Sequence, residues 1–261
     1  MRRRNFLTSV AAAPAALSSI GKAADPTARE YYELRKYKLH SGPGQRLTDH
    51  YLAEALVPAL NRMGMSPIGA FSLDLGPETP TLYLLIPSTS LESLVTTEQH
   101  LMNDDEYRKT GEAFVTASAA QPPFERIEST LMIAFEGWPK IVIPPVTAQK
   151  GARVFQLRTY ESPTIRDHQR KVEMFHSGEF DFFRKAGFWQ VFFGDALIGQ
   201  RLPKLTYMLS YPSLADQKPL WSKFSNDPDW KKLSSSPKFS FESIVNNVDN
   251  LVLNPTSYSQ I

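Results

Sequence analysis

From Glu30 to Leu39 apolar and polar side chains alternate with a period of two, and the pattern returns from Arg153 to Glu161. Each stretch is read as a strand with two distinct faces. A longer stretch with helical spacing follows each, residues 46–63 and 165–186, ending at Gly64 or Gly187, where a glycine suits the C′ position. Two short strands come next, at 68–75 and 81–87 in the first half and at 189–194 and 205–211 in the second. Ser90 and Ser213 are placed to cap a second helix, which restarts in both halves at Asp104 and Asp227. The pair Asp227-Pro228 combines an N-cap with a proline at the first helical position. Closing strands are expected over 124–135 and 241–253, and the proline-containing segment 137–150 reads as a linker.

The recurrence extends to residue identity. Leu34-Arg35-Lys36-Tyr37 returns as Leu157-Arg158-Thr159-Tyr160, 123 positions later. At the same offset Gly64 returns as Gly187, and Asp104-Asp105-Glu106-Tyr107 as Asp227-Pro228-Asp229-Trp230. Tyr83-Leu84-Leu85 aligns with Tyr207-Met208-Leu209 at 124. Matches at nearly one offset predict a tandem duplication, with repeats over 30–136 and 151–257. The order β-α-β-β-α-β is ferredoxin-like, an α+β unit that covers one sheet face with helices and leaves the other bare. Two such units in one chain are expected to pack sheet to sheet, as in a dimeric α/β barrel.

On these residues the chain resembles the NIPSNAP family. The resemblance rests on the first strands, Tyr32-Glu33-Leu34-Arg35-Lys36-Tyr37 and Phe155-Gln156-Leu157-Arg158-Thr159-Tyr160. It also rests on Pro58 ahead of Gly64, on Asp227-Pro228-Asp229-Trp230, and on the end Leu251-Val252-Leu253-Asn254-Pro255-Thr256. The second half is the closer match. The first departs from it at Asp105 and Tyr107, so the first half is expected to be mainly architectural. The resemblance implies a dimeric α/β-barrel fold. Related barrels include cofactor-independent oxygenases, haem enzymes and binding modules.

Composition narrows the classes. In 261 residues, 42% hydrophobic and 11% aromatic side chains suffice for a packed core. The absence of Cys excludes a disulfide framework, a thiolate nucleophile and Cys-held zinc or iron–sulfur sites. Residues 1–23 read as a twin-arginine export signal: Arg2-Arg3-Arg4-Asn5-Phe6-Leu7, a weakly apolar run from Ser9 to Ile20, then Gly21-Lys22-Ala23. The run is too short to span a bilayer, and the expected location is periplasmic or extracytoplasmic. Removing Arg2, Arg3, Arg4 and Lys22 leaves 25 of the 29 basic residues against 27 acidic ones, a net −2. Neither nucleic acid nor anionic lipid is therefore expected as a partner.

Two groups of residues carry candidate chemistry. If the apolar strand face meets the helices, Arg35, Tyr37, Arg158 and Tyr160 point into the barrel, where they could bind a carboxylate or enolate. The alternative is that each arginine pairs with a glutamate, Glu33, Glu128, Glu161 or Glu242. On the helix 165–186, His168, His176 and Glu179 share an arc with Ile165, Val172, Phe175 and Phe183. They are candidate acid–base groups, unless Ser177-Gly178 kinks the helix and reassigns its faces. Ligand binding is thus expected of Arg35, Tyr37, Arg158, Tyr160 and His168, and catalysis, if any, of His176, Glu179 and Tyr160. No metal site is expected, since the two histidines are eight positions apart, about 12 Å of rise. No cofactor is expected either; the one alternative is a haem with His168 or His176 as axial ligand. Phosphate-cradling glycine loops and the GxSxG motif are absent.

The expected activity is small-molecule or protein binding, with a cofactor-independent oxygenase or isomerase in the second repeat as the alternative. Self-association is expected from exposed aromatic faces. The export signal makes its own prediction. Replacing Arg3 and Arg4 together by Lys keeps the charge and is expected to leave the protein in the cytoplasm. Fractionation that finds this variant still exported refutes the signal.

Overall fold

The computed structural model describes residues 28–261, so the expected signal over residues 1–23 lies outside the described residues. Eight strands follow the expected order: β1 Tyr31–Lys38, β2 Gly69–Leu73, β3 Thr81–Ser88, β4 Arg126–Ala134, β5 Val154–Glu161, β6 Trp189–Ile198, β7 Lys204–Tyr211 and β8 Asn247–Pro255. They close into one antiparallel barrel in the order β1-β3-β2-β8-β5-β7-β6-β4. Each half contributes four contiguous strands, β4-β1-β3-β2 and β8-β5-β7-β6. The halves are hydrogen-bonded to each other at two seams, β2–β8 and β4–β6. Closure leaves none of these strands with an open edge.

The helices lie outside the barrel. In the first half they are Pro43–Tyr51, a π-helical turn Leu52–Leu56, Val57–Arg62, and the short helices Leu91–Val95, Thr97–Leu101, Asp105–Thr110 and Glu112–Val115. In the second they are Ile165–Met174, a π-helical turn Phe175–Glu179, Phe180–Ala186, then Leu214–Asn226, Pro228–Ser234 and Phe241–Ile244. Ser177-Gly178 does sit at a kink: Gly178 has φ +132° inside the second π turn, a torsion that favours glycine. Gly187 closes the helix before β6 in the left-handed region, at φ +104°. Ser90 caps its helix by accepting from the Ser93 amide. Ser213 instead donates to the Asp216 carboxylate. The strand expected to begin at residue 241 begins at Asn247, because Phe241–Ile244 forms a helical turn.

Apolar side chains collect in three layers. One fills the barrel, with Tyr32, Phe71, Leu85, Phe155, Phe192 and Met208. The second lies under the first half's helices, with Tyr37, Leu56, Leu60 and Leu84. The third lies under the second half's helices, with Phe175, Phe183, Phe193 and Tyr207.

These layers overturn the expected assignment of strand faces. Tyr32 and Leu34 of β1, and Phe155 and Leu157 of β5, face the barrel interior. Tyr37 and Tyr160 lie in the helix layers, and Arg35 and Arg158 on the same strand faces each reach a helix residue, Glu98 and Trp221. The physical reason is that β1 and β5 are covered on both faces, by the barrel interior and by the helices, so alternation separates the faces without naming them. The ring of eight strands encloses one face and packs Tyr32, Phe155, Phe192 and Met208 at one end of it, whereas the helices offer polar partners to the other face. The 124-residue alignment also shifts by one. Arg35 pairs with Leu84 across β1–β3 and Arg158 with Tyr207 across β5–β7, so Tyr207 is the counterpart of Leu84. Tyr83 faces the barrel and Tyr207 the helices, as a one-residue slip requires.

Phe193 anchors the second helix layer, stacked on Tyr207 with ring centroids 5.4 Å apart and edge-on to Phe175 and Phe180. Phe193→Ala is expected to lower unfolding free energy by about 3–5 kcal/mol, whereas Ile198→Ala, at an exposed position of the same strand, stays within about 0.5. Urea denaturation checks this; equal losses contradict the layer assignment.

Candidate functional site

The first half holds a cavity of about 630 Å³ between its strands and its helices. β1 supplies Glu33, Arg35 and Tyr37 from below. The helix Pro43–Tyr51 brings Tyr51, Thr97–Leu101 brings Glu98, Asp105–Thr110 brings Tyr107, and Glu112–Val115 brings Phe114. Asp104 fixes the start of the Tyr107 helix by accepting from the Tyr107 amide at 2.9 Å while Arg62 holds its other oxygen at 2.6 Å. Tyr51 then stacks flat on Phe114, centroids 3.7 Å apart, and its hydroxyl lies 2.9 Å from that of Tyr107.

Arg35 is the polar centre of this cavity. Its Nε and Nη2 donate to the two oxygens of Glu33, both at 2.9 Å, and Nη1 donates to Glu98 at 2.8 Å and Tyr37 at 3.4 Å. Burial opposes the charge, but Tyr37, Glu33 and Glu98 outweigh it and hold the guanidinium above its ordinary pKa. Burial pushes the Tyr37, Tyr51 and Tyr107 phenols up, so all three are protonated at neutral pH. With two carboxylates on one guanidinium, the charged lining sums to −1. The cavity therefore does not suit the carboxylate or enolate expected from the sequence. It offers a flat aromatic wall and hydroxyl groups to a ligand without negative charge.

In the second half the same space is filled. Arg158 donates to the Tyr160 hydroxyl at 3.1 and 3.0 Å, and its guanidinium lies 4.6 Å from the Trp221 ring centroid. The Tyr160 and Tyr207 hydroxyls are 2.8 Å apart, and Phe175 and Tyr207 are fully buried. Glu179 is buried against Lys171 at 2.7 Å; burial raises its pKa and Lys171 opposes the rise. That lysine also lies 4.4 Å from the Phe175 ring centroid.

The expected site residues are thus divided among four places. Arg35 and Tyr37 line the first-half cavity, whereas Arg158, Tyr160 and Glu179 belong to a packed layer on the other half. His168 places Nε2 2.7 Å from Asp195 Oδ1. His176 is exposed, with Nδ1 2.9 Å from the Val172 carbonyl and Nε2 accepting from the Gly137 amide at 3.1 Å. With both His176 nitrogens engaged, and the unpartnered His168 Nδ1 buried, neither ring fits an axial haem ligand. Sequence reasoning missed Tyr51, Glu98, Tyr107 and Phe114. The offset of 123 held the signal for Glu98, which stands where the second half has Trp221.

Residues 155–260 match the NIPSNAP family model. No curated protein matches the sequence. Among solved structures, a proposed monooxygenase from Lactobacillus acidophilus aligns at 10% identity over 87% of this chain and 94% of its own, with a TM-score of 0.54. An anthrone oxidase-like protein aligns at 11% identity over 87% and 92%, with a TM-score of 0.50. A NIPSNAP-like domain protein from Burkholderia xenovorans aligns at 16% identity over 41% of this chain and 88% of its own, with a TM-score of 0.37. At such identities the first two alignments speak to the fold alone.

The buried ion pair of the second half has a built-in comparison, because the residues 123 positions before Lys171 and Glu179 are Thr48 and Leu56. Glu179→Leu alone strands a buried ammonium and is expected to cost about 3–5 kcal/mol. The double change Lys171→Thr with Glu179→Leu is expected to restore most of that loss. Denaturant unfolding of the three proteins decides it; a double variant as unstable as the single one contradicts a purely structural pair.

Proposed function

We propose, from the match of residues 155–260 to the NIPSNAP family model, that the chain is a tandem pair of ferredoxin-like NIPSNAP repeats that binds a small molecule in its first half. The reading assigns the second repeat to structure and the first to the ligand. Its duplicated origin is supported by element boundaries that recur 123 residues apart: β1 and β5 begin at Tyr31 and Val154, β3 and β7 at Thr81 and Lys204, and the π turns at Leu52 and Phe175. Export through the twin-arginine pathway is part of the same proposal, so the ligand is one met outside the cytoplasm.

One observation carries the binding assignment. At equivalent positions the second half seats Trp221 over its arginine, whereas the first half has Glu98 at the cavity rim and leaves about 630 Å³ open. The ligand class follows from the lining: planar and uncharged, stacking beside Tyr51 and Phe114, with an oxygen that accepts from a phenol. A carboxylate on the ligand would meet Glu33 and Glu98, and the Coulomb cost of like charges falls on it. Turnover in the second repeat has less support, because Trp221, Tyr207 and Phe175 occupy the space a substrate needs there.

Titration calorimetry with 2-naphthol and 2-naphthoate as probes tests the reading. 2-Naphthol is expected to bind at least tenfold more tightly, about 1.4 kcal/mol. Ser118→Trp, a change at an exposed rim position, is expected to weaken 2-naphthol by a similar factor with unchanged melting temperature. Tighter binding of 2-naphthoate, or indifference to Ser118→Trp, overturns the proposal.

A further inference from the structure

The barrel interior is graded along its axis. At one end it is packed with Tyr32, Phe155, Phe192 and Met208. At the other it opens into a second cavity of about 420 Å³, lined by Lys36, Glu78, Glu128, Arg201, Lys204 and Asp249 together with threonine side chains. This cavity lies on the opposite side of the strand wall from the Arg35 cavity, and its argument does not rest on the function proposed for that one.

We propose that the polar mouth of the barrel is a reactive site in which Lys204 adds through Nζ to a small uncharged aldehyde or ketone. The other two cations of the mouth are engaged. Lys36 Nζ lies 2.6 Å from Glu78 and 3.8 Å from Glu128. Arg201 lies 2.7 Å from Glu161 and also pairs with Asp249. Lys204 is 7% exposed, and its Nζ donates to the Thr130 hydroxyl at 3.3 Å; among the described residues it has no carboxylate within ion-pair distance. The Thr159 and Thr206 hydroxyls, 2.9 Å apart, line the same mouth and can hold a carbonyl oxygen.

The fold itself does not require an amine here. The residue 123 positions earlier, at the start of β3, is Thr81, equally buried. A lysine in this place carries a desolvation penalty that a threonine avoids. Burial, with Arg201 beside it, lowers the amine's pKa, while Glu161, Asp249 and Glu128 oppose that shift from the facing strands. Lys36 and Glu78 complete the charged groups around the cavity. An anion is disfavoured, because three carboxylates share the lining and the paired cations are already neutralised.

The chemistry balances without any co-reactant. The nitrogen lone pair forms a bond to the carbonyl carbon, and the C–O π pair moves to oxygen. The two protons of the neutral amine leave with that oxygen as water, which leaves an imine on Lys204.

Reductive trapping tests this on the whole protein, with propanal and cyanoborohydride at pH 7 and peptide mapping by mass spectrometry. Lys204 is expected to be labelled several-fold faster than the exposed Lys109 and Lys218, since its burial in the mouth, away from any paired carboxylate, raises the share of neutral amine. Lys204→Thr, which copies Thr81, is expected to fold normally and to lose only the fast label. Labelling of Lys204 no faster than that of the exposed lysines overturns the proposal, and this comparison needs no variant. Protection of Lys204 by inorganic phosphate also overturns it, by identifying an anion site instead.

Discussion

Eight strands closed into a ring turn one surface of each strand toward the barrel axis, and β1, β3, β5 and β7 also bury their other surface under the helices. That double burial decides where each kind of side chain can go. The interior has no access to helix side chains, so at its closed end it accepts apolar groups that need no partner. Arginines and most of the tyrosines go to the outer face, where the helices answer them with Glu98 in one half and Trp221 in the other. At the open end polar groups return to the interior, because they can pair across the mouth. The two cavities are consequences of the same closure, one outside the strand wall and one within it.

The halves resolve an equivalent arginine differently. Arg158 gives up solvent to a tyrosine pair and an indole face, and a lysine–glutamate pair is sealed nearby. Such a layer is dense and leaves little room for a guest. Arg35 keeps its charge in a carboxylate clamp at the edge of a cavity, with Glu98 still partly in water. Where the second half lays Trp221 over its arginine, the first half has Glu98 at the rim of an open cavity. The half that matches the family model is therefore the packed one, and the half that diverges holds the larger space.

Much of the fold was legible in the chain. Period-two strands and a repeat near 123 residues located seven of the eight strands within four positions, placed the start of the last one six residues too early, and anticipated barrel closure inside one chain. The error lay in face assignment. Tyr32, Leu34 and Lys36 alternate with Glu33, Arg35 and Tyr37, and nothing in that alternation says which set meets the helices when both sides are covered. The site was less legible for the same reason. Arg35 and Tyr37 were found by their recurrence, but Tyr51, Glu98 and Tyr107 arrive from three separate helices, and their convergence is tertiary. Lys204 was invisible until the strand ends were brought around one mouth.

The claim beneath all of this is that the halves share one interior and hold together as one body at the β2–β8 and β4–β6 seams. Native-state hydrogen exchange followed by mass spectrometry reads that directly. Peptides covering the four seam strands are expected to exchange only with global unfolding, at the same free energy as β1 and β5. Seam peptides that exchange at a much lower free energy, or halves that open in two separate transitions, would contradict the shared barrel.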